Sequence, residues 1–341
     1  MTSEIMDCTI IGGGPAGLYA AFYAGMRDLS ARIVEDQAQL GGKLHFYPEK
    51  LIWDIGGVVP STGYDVMNQM IEQGQTFNPE VNVNERIVKI EKLEPHLFEC
   101  TSATGNKYLS KTVIVATGGG IVYPKRLPIE GIEHFEQTNL HYTIYRLDDF
   151  IDKKVAIVGG GNSAIDWANE LKDKVKELHL IHRKGQFKAH EAQINELLES
   201  DIHIHTHSTV EELMPDSHDE SIKAIKLKNE QTGRMETLPI DDLIVNIGFE
   251  AHDNFHQNSP LNFELIDNYY IKGTSEAQTS IEGIYAIGDI VDFNGKVRLI
   301  AGAYSDAVNA INQIRQHCYP LIQDSIVLST FHEGLKQRRK G

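Results

Sequence analysis

Two glycine clusters and one cationic cluster in this chain have the residue types and spacing to hold phosphate. Gly12, Gly14 and Gly17 stand at G-x-G-x-x-G spacing after the apolar run Cys8-Thr9-Ile10-Ile11, and Gly159, Gly161 and Ala164 repeat it as G-x-G-x-x-A after Val155-Ala156-Ile157-Val158. In such a turn the first glycine lets the chain reverse and the second lets backbone N–H groups approach a pyrophosphate. The third small residue lets the following helix pack closely on the strand. Phosphate then sits on the helix N-terminus, where unpaired N–H groups and the helix dipole favour negative charge.

The residue that closes the next strand sets the ligand's other end. Ala31-Arg32-Ile33-Val34 ends in Glu35, 18 residues after Gly17. A carboxylate there accepts hydrogen bonds from a ribose and repels a 2′-phosphate, which suits FAD or NAD and not NADP. Glu177-Leu178-His179-Leu180-Ile181 ends instead in His182-Arg183-Lys184, with Lys188 four residues on. These cations suit a 2′-phosphate, so the second cluster is expected to take NADP(H).

The elements that must position these residues follow from the apolar pattern. Each glycine turn lies between a buried strand and a helix, and two further buried strands, 111–116 and 241–247, run into Thr117-Gly118 and Gly248. The reading is an α/β chain of two Rossmann-like, three-layer nucleotide-binding domains. Residues 1–120 with 249–341 form the first domain and 121–248 the second, inserted domain. Gln39-Leu40-Gly41-Gly42-Lys43 is a glycine loop that lies along a flavin or forms a simple turn. Ile284-Tyr285-Ala286-Ile287 runs into Gly288-Asp289, where the aspartate bonds a ribitol hydroxyl or caps a turn. His203, His205 and His207 alternate and are expected on one exposed strand face; no metal site is expected.

Composition narrows the function. The 341 residues carry a net charge of −16, which argues against nucleic acid or an anionic membrane as partner. Residues 8–26 lack charge but hold five glycines and a proline, so no membrane span is expected. Cys8, Cys100 and Cys318 are isolated and form no C-x-x-C, which suits a reducing, cytoplasmic setting and gives no dithiol.

Gly12-Gly13-Gly14-Pro15-Ala16-Gly17, Gln39-Leu40-Gly41-Gly42, Val115-Ala116-Thr117-Gly118, Gly159-Gly160-Gly161-Asn162-Ser163-Ala164, His182-Arg183-Lys184 and Gly288-Asp289-Ile290 together resemble the thioredoxin-reductase-like flavoproteins. Tyr47-Pro48-Glu49-Lys50, Asn139-Leu140-His141-Tyr142, Asp166-Trp167-Ala168, Ala189-His190-Glu191 and the long C-terminal tail resemble the bacterial ferredoxin or flavodoxin NADP reductases among them. The resemblance implies a homodimer that carries electrons between NADPH and ferredoxin or flavodoxin, by hydride transfer to FAD and then single-electron transfers. It implies FAD contacts from Gly12, Gly14, Pro15, Ala16, Gly17, Glu35, Gln39, Gly42, Lys43, Tyr47, Thr117, Gly118, Asp289, Ser329 and Thr330. Tyr47 would stack on one face of the flavin, and Phe331 or His332 of the tail on the other, often from the partner subunit. NADP contacts are implied for Gly159, Gly161, Asn162, Ser163, Ala164, His182, Arg183, Lys184 and Lys188. The chain departs from the family pattern twice: Leu328 precedes Ser329-Thr330 where some relatives have histidine, and Lys184 and Lys188 stand where arginine is frequent. The alternatives are an NADPH-dependent reductase of quinones, free flavin or ferric complexes, and a flavin-bearing redox sensor.

Overall fold

In the computed structural model, residues 4–119, 122–217, 220–251, 258–321 and 328–338 are described. The chain divides into two compact units, one of Met1–His45, Lys50–Ile121 and Ala251–Gly341, the other of Phe46–Glu49 and Val122–Glu250. Gly120 and Ile121, the expected first boundary, lie outside the described residues. Phe46–Glu49, expected in the first unit, groups with the second. There Phe46 O accepts from Thr143 Oγ1 at 3.0 Å and Glu49 Oε2 from the Leu147 N–H at 3.1 Å.

The first unit is built on β1 (Met6–Ile11), followed by α1 (Pro15–Met26) and β2 (Ala31–Val34). β1 pairs in parallel with β2 and with β3 (Lys107–Val115). Glu80–Asn82 lies outside β2, and the antiparallel strands Leu97–Ser102 and Ile87–Glu94 continue beyond β3. Alternate residues of the central strands feed two cores, as a strand covered on both faces requires. Ile10, Ile33 and Ile114 pack with Ala20, Ala24 and the helix Ile300–Cys318, while Ile11, Val34, Val113 and Val115 pack with Phe98 and Cys100.

The second unit repeats the plan. β4 (Lys154–Gly159) runs into α2 (Asn162–Leu171), and β4, β5 (Glu177–His182), β6 (His203–Thr206) and β7 (Asp242–Asn246) form a parallel sheet, with Leu140–His141 beyond β7. The antiparallel strands Ser208–Pro215, Ile222–Asn229 and Met235–Pro239 form a separate three-stranded sheet. The chain then returns to the first unit, where β8 (Ile284–Ala286) pairs in parallel with β3 and α3 (Ile300–Cys318) completes the helical layer.

The histidine run departs from expectation. His203 and His205 lie on β6, but His207 adopts φ +51° where that strand ends, so only two of the three share a face. Their company is His179 on β5, whose ring stacks on His203 at 4.8 Å and whose Nδ1 lies 3.1 Å from His205 Nε2. His179 is 4% exposed, and its Nε2 faces Glu177 Oε1 at 3.1 Å. Burial pushes the His179 and His205 imidazoles below the ordinary histidine range, and Glu177 only partly opposes this at His179. The unfolded chain therefore binds protons that the native chain refuses once pH drops below about 6.5, so this stability is complete above that value and declines as pH falls toward the native pKa values. We expect the urea midpoint to drop between about pH 7.5 and about pH 5.5, and to drop less in His179→Gln. Equal drops in the two proteins would exclude this pair as the cause.

Candidate functional site

The turn from β1 into α1 is dictated by backbone sterics. Gly12 has φ +109°, and a Cβ there would stand 2.5 Å from the Ala116 carbonyl oxygen. A Cβ on Gly17 would stand 1.9 Å from the Gly12 carbonyl oxygen. Gly14 is different: its nearest neighbour is Gly42 Cα at 3.7 Å, so its face toward solvent is open. No side chain caps α1, whose N-cap is Gly14 and whose first residue is Pro15. The first helix N–H groups are thus left without a side-chain cap, as a pyrophosphate site needs.

Glu35 lies beneath this turn, 7% exposed, accepting the Gly13 N–H at 2.6 Å and the Gln37 N–H at 2.8 Å. Burial pushes its carboxyl above the usual range, and the two amides pull against that. Three other segments converge here. The Gly41 N–H bonds the Gly13 carbonyl at 2.9 Å, and Gly42 (φ +58°) lies so close that a Cβ on it would sit 2.9 Å from Gly14 Cα. Gly288 (φ +74°) abuts Ala16, which carries Asp289 to the mouth of the turn, and Lys43 Nζ lies 3.5 Å from Asp289 Oδ2. Gly119, just beyond Thr117 and Gly118, faces Lys43 Nζ. Asp306 of α3 accepts the Gly288 N–H at 2.9 Å and pairs with buried Lys296, a support that no short motif announces. Gln39 is exposed and Tyr47 half-buried. The cradle between Gly14 and Gly42, with Glu35 at one end and Asp289 at the other, fits the diphosphate and sugar groups of FAD.

Among the described residues, the tail packs at the other end of α1. The His332 ring lies edge-on to Phe77, 5.0 Å between centroids, and Phe77 packs on Gly25. Gly25 is near the C-terminal end of α1, about 16 Å from Gly14 at 1.5 Å per residue. Ser329, Thr330 and the 68%-exposed Phe331 flank His332.

The second turn uses the same sterics. A Cβ on Gly159 would stand 2.4 Å from the Asn246 carbonyl oxygen and 2.6 Å from Ala164 Cβ, whereas one on Gly161 would meet only the Lys188 carbonyl at 4.0 Å. Gly161 is the N-cap of α2, again without a side-chain cap. Asn162 Oδ1 accepts the His190 N–H at 3.0 Å, and the Lys188 N–H bonds the Gly160 carbonyl at 2.8 Å, so the stretch after β5 folds back over the turn beside half-buried Ser163. Arg183, Lys184 and Lys188 are exposed and have no carboxylate partner among the described residues. The His182 ring lies against Gly160 and Phe187, and its Nε2 faces the Gln186 carbonyl at 3.0 Å.

A cavity of about 300 Å³ in the same unit is lined by His141, Phe150, Lys153 and Asp242, with His141 Nε2 2.7 Å from Asp242 Oδ1. Asp242 begins β7 and Asn246 ends it, so this cavity is at the opposite end of the sheet from the glycine turn. Among the described residues no group of histidine, cysteine and acidic side chains is placed to hold a metal ion. No helix is long and apolar enough to cross a membrane among them either.

Residues 6–313 match the family model described as pyridine nucleotide-disulphide oxidoreductase. The chain is 46% identical over 338 residues to ferredoxin–NADP reductase 1 of Bacillus licheniformis, covering 99% of this chain and 97% of that protein. It is 45% identical over 338 residues to the same-named protein of Oceanobacillus iheyensis, with the same coverage. Among solved structures, the thioredoxin reductase of Lactococcus lactis shares the fold with a TM-score of 0.72 at 22% identity, over 93% of this chain and 100% of that one. That of T. acidophilum does so with a TM-score of 0.72 at 24% identity, over 92% and 98%.

The steric division among the glycines is testable on the fold alone. Gly17→Ala should lose about 1–3 kcal/mol in denaturant unfolding, because its Cβ meets rigid backbone. Gly161→Ala should stay within about 0.5 kcal/mol of the parent. Similar losses in both would refute the assignment of Gly17 to packing and of Gly161 to ligand approach.

Proposed function

This chain belongs to the pyridine nucleotide-disulphide oxidoreductase family, and within it to the ferredoxin–NADP reductases, and from that premise we propose how its residues divide the work. The enzyme is an FAD-dependent oxidoreductase that moves electrons between NADPH and ferredoxin. The observation that carries the division is the opposite chemistry of its two glycine turns. One ends in the buried carboxylate Glu35, the other in Arg183, Lys184 and Lys188, exposed and without a carboxylate partner among the described residues.

In this reading Gly12, Gly14, Pro15, Ala16, Gly17, Glu35, Gln39, Gly42, Lys43, Tyr47, Thr117, Gly118 and Asp289 hold FAD. Gly159, Gly161, Asn162, Ser163, Ala164, Arg183, Lys184 and Lys188 hold NADP(H). FAD, when bound, supplies the chemistry that accepts an electron pair as hydride and releases it one electron at a time. The protein's own task is to orient: Glu35 excludes a 2′-phosphate from the first turn by charge, and the three cations favour it at the second. The thiols stand apart from this chemistry. Burial raises the pKa of Cys8 and pushes Cys100 up to about 12 and Cys318 up to about 11, so none is a ready thiolate. This supports a direct electron carrier over a disulfide as acceptor.

The finer proposals are a homodimer, flavodoxin as a second acceptor, and a cytoplasmic setting, which suits three scattered reduced thiols. The docking of His332 at the far end of α1 supports assigning Ser329, Thr330, Phe331 and His332 to the flavin of the partner subunit.

Anaerobic turnover of the purified flavoprotein tests the reading. NADPH should reduce ferredoxin, with kcat/KM at least about tenfold above NADH, a difference of about 1.4 kcal/mol. Faster turnover of quinones or ferric complexes than of ferredoxin would favour the small-acceptor alternative. Bound FAD with no NADPH oxidation by any acceptor would favour a sensor.

A further inference from the structure

The register of the two sheets puts Glu35 and His182 at the same structural position. Ile11 pairs with Val34 and Val158 with Ile181, so Glu35 stands beside Gly12 as His182 stands beside Gly159. Each side chain then reaches the middle glycine of its turn, the one that G-x-G-x-x-G spacing leaves unspecified. Glu35 accepts the Gly13 N–H, and a Cβ on Gly13 would stand 3.2 Å from Glu35 Oε2. The His182 ring fills the corresponding place so closely that a Cβ on Gly160 would stand 2.2 Å from its Nδ1 and Cε1.

Three neighbours hold the half-buried His182. Its Nε2 faces the Gln186 carbonyl at 3.0 Å, its Nδ1 faces Gly160, and its ring stacks on Phe187 with 5.3 Å between centroids at 25°. Lys188, next to Phe187, is tied to Gly160 O at 2.8 Å and bridges Gly161. On the other flank the His207 ring faces Gly185, and the His207 N–H bonds the Lys184 carbonyl at 3.4 Å. Residues 183–188 therefore form a turn folded around one imidazole, whose burial and cationic neighbours Lys184 and Arg183 hold its pKa below the ordinary histidine range.

We propose that His182 is a positioning residue that sets the NADPH preference: it makes no contact with the nucleotide, but holds the Arg183–Lys188 turn in the shape that presents three cations to the 2′-phosphate. The inference rests on the NADPH reading above. It separates His182 from Arg183, Lys184 and Lys188, with which its sequence position groups it.

Steady-state kinetics with ferricyanide as acceptor keep carrier docking out of the measurement. His182→Ala should raise KM for NADPH about tenfold with kcat nearly unchanged and KM for NADH unmoved, because NADH has no 2′-phosphate. His182→Gln, which can still donate to the Gln186 carbonyl, should recover most of the loss. Gly160→Ala should reproduce the His182→Ala phenotype by evicting the ring, and the double variant should be no worse than either single one, since removing the ring makes room for the methyl group. Multiplying effects in the double variant would overturn the proposal. So would a wild-type break in log KM for NADPH near the imidazole range that His182→Ala abolishes, the mark of a direct imidazolium ligand. Equal wild-type KM for NADPH and NADH would instead refute the NADPH reading itself.

Discussion

Both units depend on one contact, the approach of a helix's first turn to the carbonyl that ends the strand before it. At Gly17 and Gly12, the space for a Cβ is closed to 1.9 Å from a backbone oxygen, and neither partner is a flexible side chain that can move aside. In the second unit Ala164 replaces the last glycine, and its methyl group closes on Gly159 instead. The two solutions differ in which residue is small but place a helix N-terminus over a strand end in the same way. An amide cluster at that end binds phosphate only if nothing caps it, and no side chain caps either helix.

The opposite end of β1 shows how that geometry is held. Asp7 takes the Lys111 ammonium at 2.7 Å, the Tyr319 hydroxyl at 2.9 Å and the Ser30 N–H at 2.9 Å. Burial pushes the Asp7 carboxyl up, but these donors together outweigh it and leave the group below the usual carboxylate range. One carboxylate thus ties β1 to β3, to the start of β2 and to the end of α3. The contribution is present above the unfolded aspartate pKa and is lost only as pH falls through the lower native value. The strand is fixed by ionic and hydrogen-bonded contacts at its start, and its end runs into a helix N-terminus that no side chain caps.

What could be read from the sequence follows from how local each cause is. Glycine spacing is legible because the clash it avoids lies within a few residues, and the run of Ile and Val in β1, β3, β4 and β7 is legible because both faces of each strand are covered. Glu35 and the cations after β5 were legible because a strand end sits at a fixed distance from its turn. Other features required side chains far apart in sequence to meet. The support of Gly288 by Asp306 and Lys296, the break that turns His207 away from His203, and the docking of His332 on Phe77 have no short-range signature. The role of His182 was hidden for a further reason, since its neighbours Arg183 and Lys184 are ligand types and spacing alone cannot separate a ring turned inward from cations turned outward.

The charge pattern makes sense of that inward ring. In a chain of net charge −16, three cations within six residues would ordinarily find carboxylates, yet Arg183, Lys184 and Lys188 have none among the described residues. Exposed and hydrated, they cost little to leave unpaired. At Glu35's position, a carboxylate would lie within the same turn and compete with any phosphate for those cations. An imidazole fills the space and donates to the turn's own backbone, and burial holds its pKa below the ordinary histidine range. The two turns differ at this one register position and in the cations that follow it, and the residue there bears on both the local charge and the path of the loop.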